Sequence, residues 1–250
     1  MLWHDVKVSS RQPAPLADPR GRLLDAALRL LAGGGPEALQ ARRLAAEVGA
    51  STMAVYTYFG GMGQLITEVV REGFIRFGQR LAEAPRSDDA VADLLALGMA
   101  YRAYALQNPQ LYRLMFGANA PGGRRAGNDP SVAAAAEALP EAQAAFAQVA
   151  DLVTRVMEAG GRPGQERPGA AAFQIWSAVH GYVLLEVAGF FHGYGDSEER
   201  LLLPLLAKLA AGVGADPVHA ASCARQIAAS RTPLPRAGRS LFADGHRSSA

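Results

Sequence analysis

Cysteine, lysine and net charge are all scarce in this sequence. Among 250 residues there is one cysteine, Cys223, so neither an intrachain disulfide framework nor a cysteine-rich zinc site can form. That usage fits a reducing compartment. Lys7 and Lys208 are the only lysines, and the formal net charge is only +2, so bulk charge does not announce a partner for nucleic acid or membrane. The positive side is carried by arginine, whose planar fork suits bidentate contacts to phosphate, carboxylate or guanine. Heavy arginine use also follows from a GC-rich genome.

Long apolar runs are missing too. The opening "MLWHDVKVSSRQPAPLADPRG" has no stretch of signal-peptide length. The most apolar region, Ala178 to Phe191, is broken by His180, Glu186 and glycines, so it is not a membrane span. A soluble cytoplasmic protein is expected. No segment has the two-residue period of a strand, and the expected fold is all-α. The five histidines, His4, His180, His192, His219 and His246, form no HExxH or other ligand spacing. No nucleophile elbow, phosphate loop or dinucleotide fingerprint occurs. The reading is therefore not an enzyme, with no catalytic residues, cofactor or metal site.

What is present is helical period over half-apolar composition. Residues 1–18 read as a flexible arm. From Pro19, with Asp18 as cap, Leu23, Leu24, Ala27, Leu28, Leu30 and Leu31 form one apolar face, stopped by "GGG" at 33–35. Short helices over about 41–48 and 52–59 follow, then a longer one from about Met62. Beyond them the sequence predicts helices over about 88–107, after the cap-and-proline pair Asn108–Pro109, over 131–159 with Pro140 dividing it, over 169–193 and over 197–213. The boundaries drawn are 1–18 for the arm, 19–70 and 71–213 for two domains, and 214–250 for a flexible basic tail rich in arginine and proline.

The pair of short helices carries the sharpest signal. Gly49 supplies a turn, Ala45 a close crossing, and Val55 and Phe59, four apart, one buried face. Thr52, Met53 and Tyr56 are thereby turned outward, with Ser51 placed to cap. This is helix-turn-helix spacing, whose second helix enters the major groove. Thr52 can bond base or phosphate, Met53 and Ala54 can touch thymine methyls, and the hydroxyls of Tyr56 and Tyr58 can reach phosphate. Arg42 and Arg43 add charge beside them. From spacing alone a plain helical-bundle packing with half-buried tyrosines stands equally.

The stretch "GRLLDAALRLLAGGGPEALQARRLAAEVGASTMAVYTYFGGMGQLITEVV" resembles the N-terminal domain of the tetracycline-repressor (TetR) family of bacterial transcription regulators. The resemblance implies a three-helix helix-turn-helix DNA-binding domain followed by a helical ligand-binding and dimerisation bundle. It implies a homodimeric repressor on a pseudo-palindromic DNA operator, released by a small-molecule effector. Ser51, Thr52, Met53, Ala54, Tyr56 and Tyr58 fall on recognition-helix positions; Gln40, Arg42 and Arg43 lie on the second helix near its DNA-facing end. Two positions depart: Gln40 where the family often has threonine, and Met62 where it often has lysine. They leave open a ligand-binding module with weak or lost DNA binding.

Further along, "IWSAVHGYVLLEVAGFF" resembles the Trp–His–Gly segment of one subgroup of such C-terminal domains. Trp176 and His180, four apart, share a helix face. Both a ligand cavity and simple packing fit them, with Gly181 read as permitting close helix approach. Tyr101, Tyr104, Tyr112, Met115 and Phe116 are further candidate ligand residues. Leu184, Leu185, Val187, Leu202, Leu205, Leu206 and Leu209 are candidates for a dimer face.

Overall fold

In a computed structural model, which describes residues 18–116, 139–161 and 167–230, the first helix starts where its cap dictates. Asp18 accepts the N–H of Arg20 and Pro19 takes the first helical position. This helix, α1 (Pro19–Gly34), is followed by a single 3-10 turn (Pro36–Ala38), α2 (Ala41–Val48), α3 (Met53–Phe59) and α4 (Met62–Ala82). Six helices follow: α5 (Ala90–Gln107), α6 (Pro109–Met115), α7 (Pro140–Ala159), α8 (Pro168–Val187), α9 (Leu203–Gly212) and α10 (Pro217–Ala229). No strand occurs among the described residues, and the fold is all-α. The expected N-terminal arm, the helical start at Ser131 and the last part of the tail fall outside them.

The chain divides into two compact units, Met1–Val69 and Val70–Ala250. In the first, α1 packs on α2 and α3. Leu23, Ala27, Leu31, Leu44, Val55, Leu65 and Val69 are buried together with Phe59. Arg20 lies over the Phe59 ring and pairs with Glu68 at 2.9 Å. The Arg22 guanidinium donates to the Val48 carbonyl at 2.6 Å, closing the end of α2.

In the second unit α5 is the central helix, touching α6, α7, α8, α9 and α10. Its sequence is apolar on nearly every side, as an all-round contact requires. Asp89 caps it, its Oδ1 accepting the N–H groups of Val91 and Ala92 at 3.0 Å each. Where α9 crosses, Gly98 takes the place of a side chain: a Cβ there would lie 2.7 Å from Leu206.

Several expected boundaries move. Asn108 stands at the cap position of α6 before Pro109, as expected, but its side chain does not cap; the amide donates back to the Tyr104 carbonyl at the end of α5. Pro140 opens α7 rather than kinking it. The helix from 169 stops at Val187, because Arg113 takes the Val187 carbonyl and Gly189 turns the chain at φ 89°. The next helix opens with a wide turn, Glu198–Leu202. Its closing bond runs from Leu203 N–H to the Glu198 carbonyl, five residues back, just before Pro204, which has no N–H to offer. The largest correction is the tail. Pro217–Ala229 is a helix, started by Asp216 accepting the His219 N–H at 2.7 Å and held by buried Ala220, Cys223 and Ala224. Its buried face is small residues, which pack by close approach and leave little apolar signal in the sequence.

Candidate nucleic-acid interface and aromatic core

The geometry of α2 and α3 follows from two backbone turns. Gly49 ends α2 in the left-handed conformation, φ 66° and ψ 35°, and Gly60 does the same for α3 at φ 75°, followed by Gly61 at φ 149°. Between them only Val55 and Phe59 of α3 are buried. Met53 is 64% exposed, Tyr56 53% and Tyr58 40%, with Ser51 and Thr52 also exposed and Ala54 half-buried. This seven-residue helix thus commits two side chains to the core and leaves Met53, Tyr56 and Tyr58 in solvent.

The N-terminus of α3 departs from expectation. Thr52, not Ser51, stands at the cap position, and no side chain caps. The first bonds are backbone, Ala54 N–H to Ser51 O at 3.0 Å and Val55 N–H to Thr52 O at 3.3 Å. Both hydroxyl side chains are therefore not used for capping. Gln40 is exposed and its amide donates to the Glu37 carbonyl at 3.0 Å.

The arginines of this unit divide by role. Arg20, Arg22 and Arg29 are engaged with Glu68, Val48 and Glu47. Arg42 and Arg43 are exposed and have no ion-pair partner among the described residues. Met62, in place of the lysine the family often carries, is half-buried at the start of α4.

In the second unit five of the seven candidate ligand residues converge. The Nδ1 of His180 lies 2.9 Å from the Tyr101 hydroxyl and 2.7 Å from that of Tyr112, and the two hydroxyls are 2.9 Å apart. Burial pushes the His180 pKa down, which favours the neutral imidazole, with one ring nitrogen a donor and the other an acceptor. With Nδ1 as the acceptor, Tyr101 can donate to Tyr112 and Tyr112 to His180; the two hydroxyl protons then serve two of the three close pairs, and Tyr101 and His180 meet without a proton of their own. Burial likewise drives both phenols up, against the bond between them in Tyr101. Trp176 stands edge-on to Tyr101 at 5.2 Å, and Phe116 lies 4.5 Å from the His180 ring.

Tyr104 and Met115 belong to a neighbouring cluster instead. The Tyr104 hydroxyl donates to the Gly73 carbonyl at 2.8 Å, and Met115 packs where a Cβ on Gly73 would sit. Phe77, absent from the candidates, is the hub, with Tyr101 at 4.9 Å, Tyr104 at 5.1 Å and Trp176 at 5.9 Å. Its place three residues after Phe74 on the apolar face of α4 was the available signal. On one side of Trp176 lies a free space of about 20 Å³, bordered by Leu97, Gly98, Ile175 and Val179. A larger groove of about 610 Å³ lies over α9 and α10; it is open, half of its lining residues are alanines, and Glu199, Lys208 and Arg225 border it.

Three polar networks escaped the sequence reading. Arg102 makes two bonds to Glu186, at 2.7 and 2.8 Å, and a third to Glu198. Asp93, fully buried, accepts from Ser87 and from Arg155 at 2.8 Å. The histidine spacing offered no ligand motif, yet Asp89, His219 and Cys223 meet across α5 and α10. Burial and the Asp89 carboxylate push the Cys223 thiol up to about 11. Gly181 does not serve close approach among the described residues, since a Cβ there would meet none of them within 4 Å. Leu202 and Leu206, expected on a dimer face, are buried in the unit's own core.

A small three-helix unit exposing one helix of this kind defines a helix-turn-helix DNA-binding regulator, here joined to a second, all-helical unit. The chain matches the profile of bacterial regulatory proteins of the tetR family over residues 23–69. It matches that of the tetracyclin repressor-like C-terminal domain over 94–209. Together these span well over half of the chain, and the chain belongs to the TetR family of transcription regulators. It is 27% identical over 222 residues to the HTH-type transcriptional regulator Rv1816 of Mycobacterium tuberculosis, covering 75% of this chain and 92% of that protein. Among solved structures it resembles the regulatory protein SCO4313, at 30% identity and a TM-score of 0.55, over 76% of this chain and 94% of that one. RolR in complex with resorcinol shares the fold at 16% identity and a TM-score of 0.58, over 88% and 96% of the two chains. Among the described residues no helix is long and apolar enough to cross a membrane.

Proposed function

We propose that this regulator is a cytoplasmic repressor that binds a pseudo-palindromic operator as a homodimer and is released by a small molecule. The observation that carries the reading is the division of α3 into a buried pair, Val55 and Phe59, and an exposed face of Thr52, Met53, Tyr56 and Tyr58. In this reading Thr52, Met53 and Ala54 meet base edges, while Ser51, Gln40 and the tyrosine hydroxyls meet phosphates. Arg42 and Arg43 supply the charge. The first-turn N–H groups of α4, which have no partner within the helix, stand in for the lysine that Met62 replaces. Two heads would read successive major grooves about 34–36 Å apart.

The effector would enter the aromatic core. Trp176 and Phe116 offer ring faces and edges, and Tyr101, Tyr112 and His180 offer neutral donors and acceptors. That set suits a small, planar, uncharged molecule with one or two hydroxyls; the resorcinol bound to RolR is of that kind. For the dimer, α8 presents a face with no exposed charge. Phe173, Ser177 and Leu185 are exposed on it, and Gly181 has open space beside it.

The test is fluorescence anisotropy on duplex DNA from upstream of the chain's own gene, over a range of salt. Arg43→Ala should weaken binding for every bound sequence and make the salt slope shallower by about two, one per head. Tyr56→Phe should weaken binding without changing that slope. Unchanged affinity in both variants refutes the assigned face, and the absence of any specific complex at low salt favours a ligand-binding module that has lost its operator.

A further inference from the structure

At the start of α5 three different donor atoms meet. Asp89 Oδ2 lies 3.0 Å from His219 Nε2, and Cys223 Sγ lies 3.6 Å from each of them. His219 and Cys223 are four apart on α10, so one helix presents both, and α5 presents the third. We propose that Asp89, His219 and Cys223 form a binding site for a divalent transition metal of the zinc class. The site is separate from the operator and effector readings and stands or falls without them.

The dimensions carry the argument. Zinc bonded to a thiolate, an imidazole and a carboxylate at its usual lengths, in a tetrahedron, separates sulfur from the other two atoms by about 3.5 Å and nitrogen from oxygen by about 3.3 Å. The three edges found here, 3.6, 3.6 and 3.0 Å, need only a few tenths of an ångström of adjustment, nearly all in the His–Asp edge.

The donors are also positioned in advance. Asp89 Oδ1 is fixed by the Val91 and Ala92 N–H groups, which leaves Oδ2 aimed at the other two. Cys223 is buried and forms the floor, while His219 is exposed and Asp89 half-buried, so the fourth position opens to solvent. One sulfur, one nitrogen and one oxygen favour zinc and its neighbours over magnesium or calcium, which take oxygen alone. On binding, the Cys223 thiol would give up its proton to solvent and His219 would coordinate as neutral imidazole. The metal would then fasten α10 to the N-terminus of α5.

Because Cys223 is the only cysteine of the chain, cobalt is a specific probe. Tag-free full-length protein, stripped with chelator, is titrated with Co²⁺ and then with Zn²⁺. The expected result is one equivalent of cobalt per chain, with a thiolate-to-cobalt charge-transfer band, the visible absorption of a tetrahedral ion, and displacement of both by zinc. Cys223→Ser should lose the charge-transfer band, and His219→Ala should bind about tenfold or more weakly. Asp89→Asn, which keeps an oxygen for the helix cap, should weaken zinc binding while leaving far-ultraviolet circular dichroism unchanged. No charge-transfer band in the wild-type protein, or zinc affinity equal in all four proteins, overturns the proposal.

Discussion

Replacing Arg102 by methionine should cost this protein a substantial part of its stability margin. The guanidinium holds both oxygens of Glu186 and also reaches Glu198, with Arg102 only 11% and Glu186 10% exposed. After the substitution the Glu186 carboxylate keeps only the Ser197 hydroxyl at 2.9 Å and a long contact from Tyr182 at 3.4 Å. Breaking one side of such a buried pair costs about 3–5 kcal/mol, against a total of about 5–15 kcal/mol for a typical domain. For a unit of this size that corresponds to a fall in Tm of roughly 10 °C. Urea denaturation followed by circular dichroism measures it. Arg86→Met is the internal control, because its bond to Asp151 at 2.6 Å joins two side chains that are both more than half exposed. That variant should lose less than about 1 kcal/mol. Adding Glu186→Gln and Glu198→Gln to Arg102→Met should restore much of the loss, since the buried charge is then gone. Equal losses for Arg102→Met and Arg86→Met, or no recovery in the triple variant, would refute the reasoning.

Two further outcomes follow from the second unit. Gly98→Ala should destabilise by about 1–3 kcal/mol, because the new Cβ would stand 2.7 Å from Leu206. Combining it with Leu206→Ala should cost less than the two single changes summed, and additive losses in urea denaturation would count against a steric cause. Asp93 governs acid behaviour. Burial pushes its carboxyl up, but the Ser87 N–H, Arg155 and the Ser87 hydroxyl outweigh it, and the net shift is below the ordinary value of 3.8. Its stabilising contribution is therefore complete above that value and is lost as pH falls through the lower folded pKa. Asp93→Asn should flatten the decline in unfolding free energy over that acid range, and an unaltered acid profile would exclude Asp93 as a source of it.

The first unit was legible because its signals are local. Gly49, the four-residue spacing of Val55 and Phe59, and the glycines after Phe59 fix the turn and the rotation of α3 within a dozen residues. Trp176 and His180 were legible as one helix face for the same reason. What they face was not. Tyr101 and Tyr112 reach His180 from 79 and 68 residues away, and Arg102 reaches Glu186 from 84. A sequence period says which side of a helix is apolar, but not which arginine a buried glutamate will meet. The α10 helix was read as tail because alanine, serine and cysteine pack by closeness rather than bulk, and a periodicity built on large apolar residues passes over them. Asp89, His219 and Cys223 stayed hidden because two of them lie on that helix.

The space beside Trp176, no larger than about 20 Å³, also sets how an effector could act. A ring-sized molecule does not fit that space as it stands; entering there, it would have to displace a side chain that borders it. The resident side chains then act as a competitor covalently tied to the receptor, and observed affinity is the intrinsic affinity scaled by the fraction of molecules in which they stand aside. A substitution that trims one of them, such as Ile175→Val, would act as a partial removal of that competitor. It would sharpen the response to the inducer without adding a single contact to it.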